Sequence, residues 1–219
     1  MVRTKQRQTY GEEVANVLTH GAGMIFGIVA IVLLLIASIR NGNPWAVGSS
    51  VVYALSMTLS YITSTFYHAS SHARRKRLLR RFDHSAIYIH IAGTYTPFTL
   101  VALRQEGYWG WILFAIVWTA AVIGVFLSFK KMKKIDHLKT TCYLAMGWVV
   151  IIAFKPLVDV FQRTDSMDVL YWLIGGGLFY TVGCVFYFFD TYKYMHPMWH
   201  FFVLGGSVCH FISIYLLIR

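Results

Sequence analysis

Apolar residues in this chain gather in long runs such as "MIFGIVAIVLLLIAS" (24–38) and "WILFAIVWTAAVIGVFLSF" (111–129), with no short strand-like alternation. A hydrocarbon layer of about 30 Å takes roughly 20 residues of helix to cross, and inside it every backbone group must be satisfied within the segment. The pattern predicts seven transmembrane helices: Asn16–Ile39, Trp45–His68, Phe82–Leu103, Trp109–Phe129, His137–Phe154, Val169–Phe189 and Pro197–Ile218. The fifth is interrupted by Lys155–Pro156 before a short apolar remainder, Leu157–Val160. Connections are short and no Ser/Pro-rich linker divides the chain, so residues 1–219 read as one all-α seven-helix transmembrane domain. The first run is too long for a signal-peptide core and lacks a small-residue cleavage site, so it is expected to be retained.

Composition agrees: 57% of residues are hydrophobic and 13% charged, against about 25% charged in soluble domains. A net charge of +11 raises the possibility of nucleic-acid binding, but the placement of that charge argues otherwise. Under seven spans, fifteen of the twenty Lys and Arg residues share one side of the membrane, concentrated in Arg3–Arg7, Arg74–Arg81 and Lys130–Lys139. The positive-inside rule then puts the N-terminus in the cytoplasm and the C-terminus outside. The basic loops are read as topology signals and anchors for anionic membrane lipids, with no nucleic-acid partner. Cys142, Cys184 and Cys209 lie within spans, without metal-type spacing, and imply no disulfide framework. Gly23 and Gly27 form a GxxxG that suits close helix packing or a dimer contact.

Ionisable residues inside apolar spans are costly and mark functional sites. The predicted topology brings several to one level, at the cytoplasmic face: His68 ending span 2, Asp83 opening span 3, and His196 and His200 opening span 7. Glu13, Asn16 and His20 share one face at the start of span 1 and suggest a polar seam there. In "HPMWH" (196–200) two histidines four apart share a helical face, with Pro197 favouring a helix start and His196 at the cap. That pair alone is weak, since chance supplies about a third of one such pair in a chain this rich in histidine. With His68, however, three imidazoles are enough to hold Zn²⁺ at about 2.0–2.1 Å and leave a fourth position open, the catalytic pattern. Haem held by His68 and His200 accounts less well for the third histidine and the aspartate.

Asp83 suits a carboxylate that orients or deprotonates water at the open position, or else an ion-pair partner of Arg80 or Arg81. Ser64, one turn deeper than His68, can donate to that water or to a developing oxyanion, or bond the Ser60 carbonyl. His72 and His137 fall in basic cytoplasmic segments and are expected to be solvated; His84 is expected to point away from Asp83. His90 lies two turns below Asp83 on the same face and is placed to line a polar cavity, about 10 Å into the bilayer. His210, about 15 Å beyond His200 and rotated off its face, is assigned a hydrogen-bonded packing role.

"EEVANVLTHGAG" (12–23), "STFYH" (64–68), "RFDHSAIYIHIAGTYTPF" (81–98), "CYLAMGW" (142–148) and "HPMWHFFVLGGSVCHF" (196–211) together resemble the bacterial hemolysin III branch of the progestin and adipoQ receptor family. The resemblance covers nearly the whole chain in order. It implies seven transmembrane helices with a cytoplasmic N-terminus in the bacterial cytoplasmic membrane. It also implies zinc on His68, His196 and His200, with Asp83 acting through the metal's water and Ser64 beside it. The wider superfamily includes alkaline ceramidases, so the implied chemistry is zinc-dependent hydrolysis of lipid amides or esters, in membrane lipid and fluidity homeostasis. Two other functions compete: a non-catalytic membrane sensor with structural zinc, and a pore-forming hemolysin. Spans so apolar offer little lining for a wide water channel, which weighs against the pore.

Overall fold

In the computed structural model the described residues are 8–130 and 136–219, with side chains in the second stretch from Lys139 onward. They form α1 (Tyr10–Asn41), α2 (Pro44–Ala69), α3 (Ala73–Pro97), α4 (Trp109–Phe129), α5 (Asp136–Gly147), α6 (Phe154–Arg163), α7 (Met167–Phe188) and α8 (Met195–Ile218). No strand occurs among the described residues. Among the described residues six helices are long and apolar enough to cross a membrane, with α5, its 3₁₀ continuation and α6 counted together from Lys139 to Arg163. The predicted third span, carried by α3, is not among the six, because its first turns are the basic run Arg74–Arg81.

Local chemistry sets the ends. Thr9 caps α1 through a reciprocal box in which the Thr9 N–H donates to Glu12 Oε2 at 2.8 Å and Glu12 N–H donates to Thr9 Oγ1 at 3.4 Å. Gly42 closes α1 at φ 74°, a left-handed cap that a residue without Cβ adopts freely. Asn43 then caps α2 by accepting from Trp45 N–H at 3.0 Å, with Pro44 at the first helical position.

The fifth span differs from its predicted extent. It does not stop at Phe154; it narrows to a 3₁₀ segment at Trp148–Ala153 and resumes as α6. Pro156 falls in the first turn of α6, where its missing N–H costs nothing. The break before it is satisfied from α3: Tyr95 Oη lies 2.6 Å from the Gly147 carbonyl and accepts from Val150 N–H at 3.0 Å. Span 7 also starts earlier than predicted. Met195 opens α8 behind Tyr194, held at φ 63°, so His196 sits inside the first turn and Pro197 is its third residue, still within the turn that lacks N–H partners.

Packing runs α8–α1–α2–α3–α4, with α7 laid on α8 and the α5–α6 rod touching α3 and α7 lightly. The surface is inverted relative to a soluble bundle: Leu18, Ile25, Phe126 and Phe201 are more than half exposed, while Ser49, Ser50, Ser207 and Ser213 are buried. Gly23 and Gly27 face α2. A Cβ on Gly23 would stand 2.4 Å from the Tyr61 ring, and one on Gly27 would stand 2.5 Å from Thr58 Oγ1. The GxxxG is thus used for packing within the chain, letting α1 close on α2 at the depth of His20.

Candidate metal centre

The site forms where the last turn of α2 meets the first turn of α8, both lying against the start of α1. The helical repeat puts His196 and His200 side by side, their Nε2 atoms 3.1 Å apart. The His68 ring lies 5.2 Å from that of His196 and 5.0 Å from that of His200. One ring nitrogen from each of the three falls within 4.8 Å of the others. His200 and His68 are buried and His196 half-buried.

The set fits a tetrahedral metal. Bonds of about 2.0–2.1 Å require ligand nitrogens roughly 3.3–3.4 Å apart, close to the observed pair. His68 is prepared as a ligand: its Nδ1–H donates to Glu13 Oε2 at 2.8 Å, so Nε2 presents a lone pair. That Nε2 is buried and has no hydrogen-bond partner among the described residues. The other Glu13 oxygen accepts from Lys76 Nζ at 2.6 Å, and the Asn16 amide lies 3.2 Å from His68 Nδ1. Such a carboxylate–imidazole pair fixes the tautomer and raises ligand basicity. No fourth His, Cys, Asp or Glu joins the group among the described residues. Haem fits poorly, because the edge-on rings of His68 and His200 at 5.0 Å leave no plane for a macrocycle between them.

The remaining residues of the predicted seam take distinct places. His20 is buried and stacks face to face on His200, centroids 3.6 Å apart, with its edge against Tyr61 at 5.1 Å. It lies outside the ligand group and braces the His200 ring. Asp83 is buried, lines the same cavity as His20 and His196, and makes no ion pair with Arg80 or Arg81. Its neighbour is His84 Nδ1 at 3.4 Å, so His84 does not point away as its position along the helix suggested. Ser64 is buried one turn below His68, and of its two alternatives the bond to the Ser60 carbonyl is not formed. His72 is exposed at the cap of α3, and the His137 side chain is outside the described residues. His210 Nε2 meets the Leu173 carbonyl at 3.2 Å, as a packing histidine would, and His90 lines the cavity.

One contact escaped the sequence reading. Glu12 Oε1 accepts from the Tyr194 N–H at 2.8 Å, tying the start of α1 to the residue that turns the chain into α8. The visible signal was the Thr9–Glu12 capping box; the second use of that carboxylate depends on the left-handed Tyr194, which nothing in the sequence marks.

Residues 8–211 match the sequence profile of the family described as "Haemolysin-III related". The chain belongs to that family. This haemolysin III family member is 41% identical to "Hemolysin-3" of Bacillus cereus over 211 residues, 96% of this chain and 94% of the relative. It is 40% identical to the "Hemolysin-3 homolog" of Bacillus subtilis (strain 168) over 206 residues, 94% of each chain. The family and the apolar helices together make it a multi-pass membrane protein.

The Glu13 contact yields a first prediction for this haemolysin III protein. Glu13→Gln keeps the shape but removes the carboxylate that sets the His68 tautomer, so metal affinity should fall about 10–100-fold. Competition against a chelator measures this; unchanged affinity would remove Glu13 from the site.

Proposed function

We propose that this protein is a zinc-dependent hydrolase of lipid amides or esters, contributing to lipid and fluidity homeostasis in the bacterial cytoplasmic membrane. It spans the membrane seven times with its N-terminus in the cytoplasm, α3 being the seventh span despite its basic start. The orientation rests on the placement of fifteen of twenty basic residues on one side.

One observation carries the reading. The three-histidine group adjoins a cavity of about 920 Å³, which at that end is lined by Glu13, His20, Asp83 and His196. Beyond them its walls include Ile91, Phe98, Leu113, Leu157 and Leu170. A polar reaction site at the mouth of an apolar chamber matches a substrate with a carbonyl head and a long acyl chain. The metal would be held by His68, His196 and His200, and when bound it would polarise a carbonyl and make water nucleophilic near neutral pH.

The chain's own groups do the rest. Asp83, which pairs with no arginine among the described residues, takes a proton from the attacking water and returns it to the leaving nitrogen or oxygen. Ser64 donates its hydroxyl to the oxygen on which charge develops. His20 keeps the His200 ring from turning. The apolar chamber holds the acyl chain and excludes bulk water.

Purified protein in nanodiscs containing ceramide should release fatty acid, lose that activity on chelation and regain it with Zn²⁺. Cleavage that persists after complete chelation contradicts the proposal. A protein whose melting collapses on chelation, but which cleaves no lipid amide or ester, would be a sensor with structural metal.

A further inference from the structure

Below the metal site the cavity passes a second polar station that hydrolysis does not use. His90 on α3 and His210 on α8 both line it and are only 6% and 8% exposed. By helix rise they lie about 10 Å beyond Asp83 and about 15 Å beyond His200. His90 Nε2 and His210 Nδ1 are buried and hydrogen bond to nothing among the described residues.

Their neighbours are already committed. Tyr61 Oη donates to Ser207 Oγ at 2.7 Å, Tyr180 Oη sits 2.8 Å from that same oxygen, and Tyr53 Oη lies 3.3 Å from the Ser207 carbonyl. These hydroxyls knit α2, α7 and α8 together, so relieving the imidazoles would sacrifice those bonds. The rings nonetheless crowd the station: Tyr180 is 6.4 Å from His90 and 5.3 Å from His210.

The His210 tautomer is fixed by its surroundings. The Leu173 carbonyl can only accept, so the Nε2 facing it at 3.2 Å carries the proton and Nδ1, across Cε1 from it, presents a lone pair. The ring is wedged against α7, since a Cβ on Gly176 would stand 2.2 Å from its Cδ2. A buried acceptor in an apolar layer is costly without a donor, and a hydroxyl entering from the cavity supplies one.

The geometry points to a binding station for a hydroxyl carried near the middle of an acyl chain whose head group lies at the three-histidine site. A hydroxyl donates to His210 Nδ1 and can accept from His90, whereas an ether, ketone or double bond has no donor for His210. A charged substituent is disfavoured by the apolar walls. The spacing of about 10 Å from Asp83 places the group at mid-chain rather than beside the carbonyl. The inference rests on the acyl-holding cavity of the proposed function, but not on turnover.

Displacement of a fluorescent fatty acid from the full-length protein tests it, using hydroxystearic acids with the hydroxyl moved stepwise along the chain. Stearic acid and a mid-chain methoxystearic acid are the comparisons. The mid-chain hydroxy acid should bind about three- to tenfold tighter than stearic acid. Methylation should abolish that preference, and His90→Leu or His210→Leu should flatten the series while stearic acid binds as before. A series already flat in the wild-type protein overturns the inference, as does a mid-chain peak that survives both substitutions. Failure of all fatty acids to bind overturns it too. The wild-type series decides the matter even where a variant does not fold. Because free acids need no hydrolysis, a mid-chain preference without lipid-amide cleavage leaves this station standing and removes the hydrolase; cleavage with a flat series does the reverse.

Discussion

Replacing His200 with alanine is expected to strip the metal from the protein. A zinc site of four ligands gains about 10–16 kcal/mol, or roughly 3–4 kcal/mol per ligand, so losing one weakens binding on the order of 10²–10³-fold. His200 is also completely buried and stacked on His20, so its loss disturbs packing as well as ligation. His196→Ala separates the two effects, because His196 is half-buried and contributes less to the core. Both variants should fall from about one equivalent of zinc to a small fraction of one, while His196→Ala keeps more of its thermal stability. Metal content by mass spectrometry with parallel melting curves checks both. Retention of a full equivalent in either variant would mean that the metal is held elsewhere.

Asp83→Asn should do the opposite: keep the metal and lose the reaction. Asparagine matches the aspartate in size but cannot accept a proton at neutral pH. Removing a positioned general base costs about 10²–10⁴-fold in rate. Because Asp83 pairs with neither Arg80 nor Arg81, the substitution leaves both arginines' contacts unchanged, and the amide oxygen that replaces the carboxylate can still face His84 Nδ1. The measurement is lipid-amide turnover beside zinc content. A variant that hydrolyses at the wild-type rate would exclude Asp83 from proton transfer; one that loses zinc as well would make it part of the ligand shell.

How much of this was legible in the sequence depended on whether a feature followed from depth or from contact. Level along the helices was readable: the distribution of basic residues put His68, Asp83, His196 and His200 at one expected level, and one ring nitrogen from each of the three histidines falls within 4.8 Å of the others. Helices dominated by apolar residues, such as α4 and α7, begin and end within two residues of their predicted bounds. Errors arose where a polar residue serves a helix instead of ending it. Lys155 and Pro156 looked like a stop but form the first turn of α6, because Tyr95 on a distant helix repairs the break before them. The basic run before Phe82 looked like a loop and is the start of α3. Contacts across helices were the least readable. Glu13 on His68 and Glu12 on Tyr194 depend on how α1, α2 and α8 lie together, and His84 on Asp83, within α3, depends on a single side-chain direction, which periodicity does not encode.

The hydrolase reading requires an open three-histidine metal site formed by α2 and α8 beside an acyl-sized cavity. Zinc-edge X-ray absorption on the purified full-length protein tests it most directly. One zinc with three imidazole nitrogens and one light oxygen ligand, all at about 2.0–2.1 Å, is the expected result. A sulfur in the first shell, or a shell closed by four protein ligands, would contradict it.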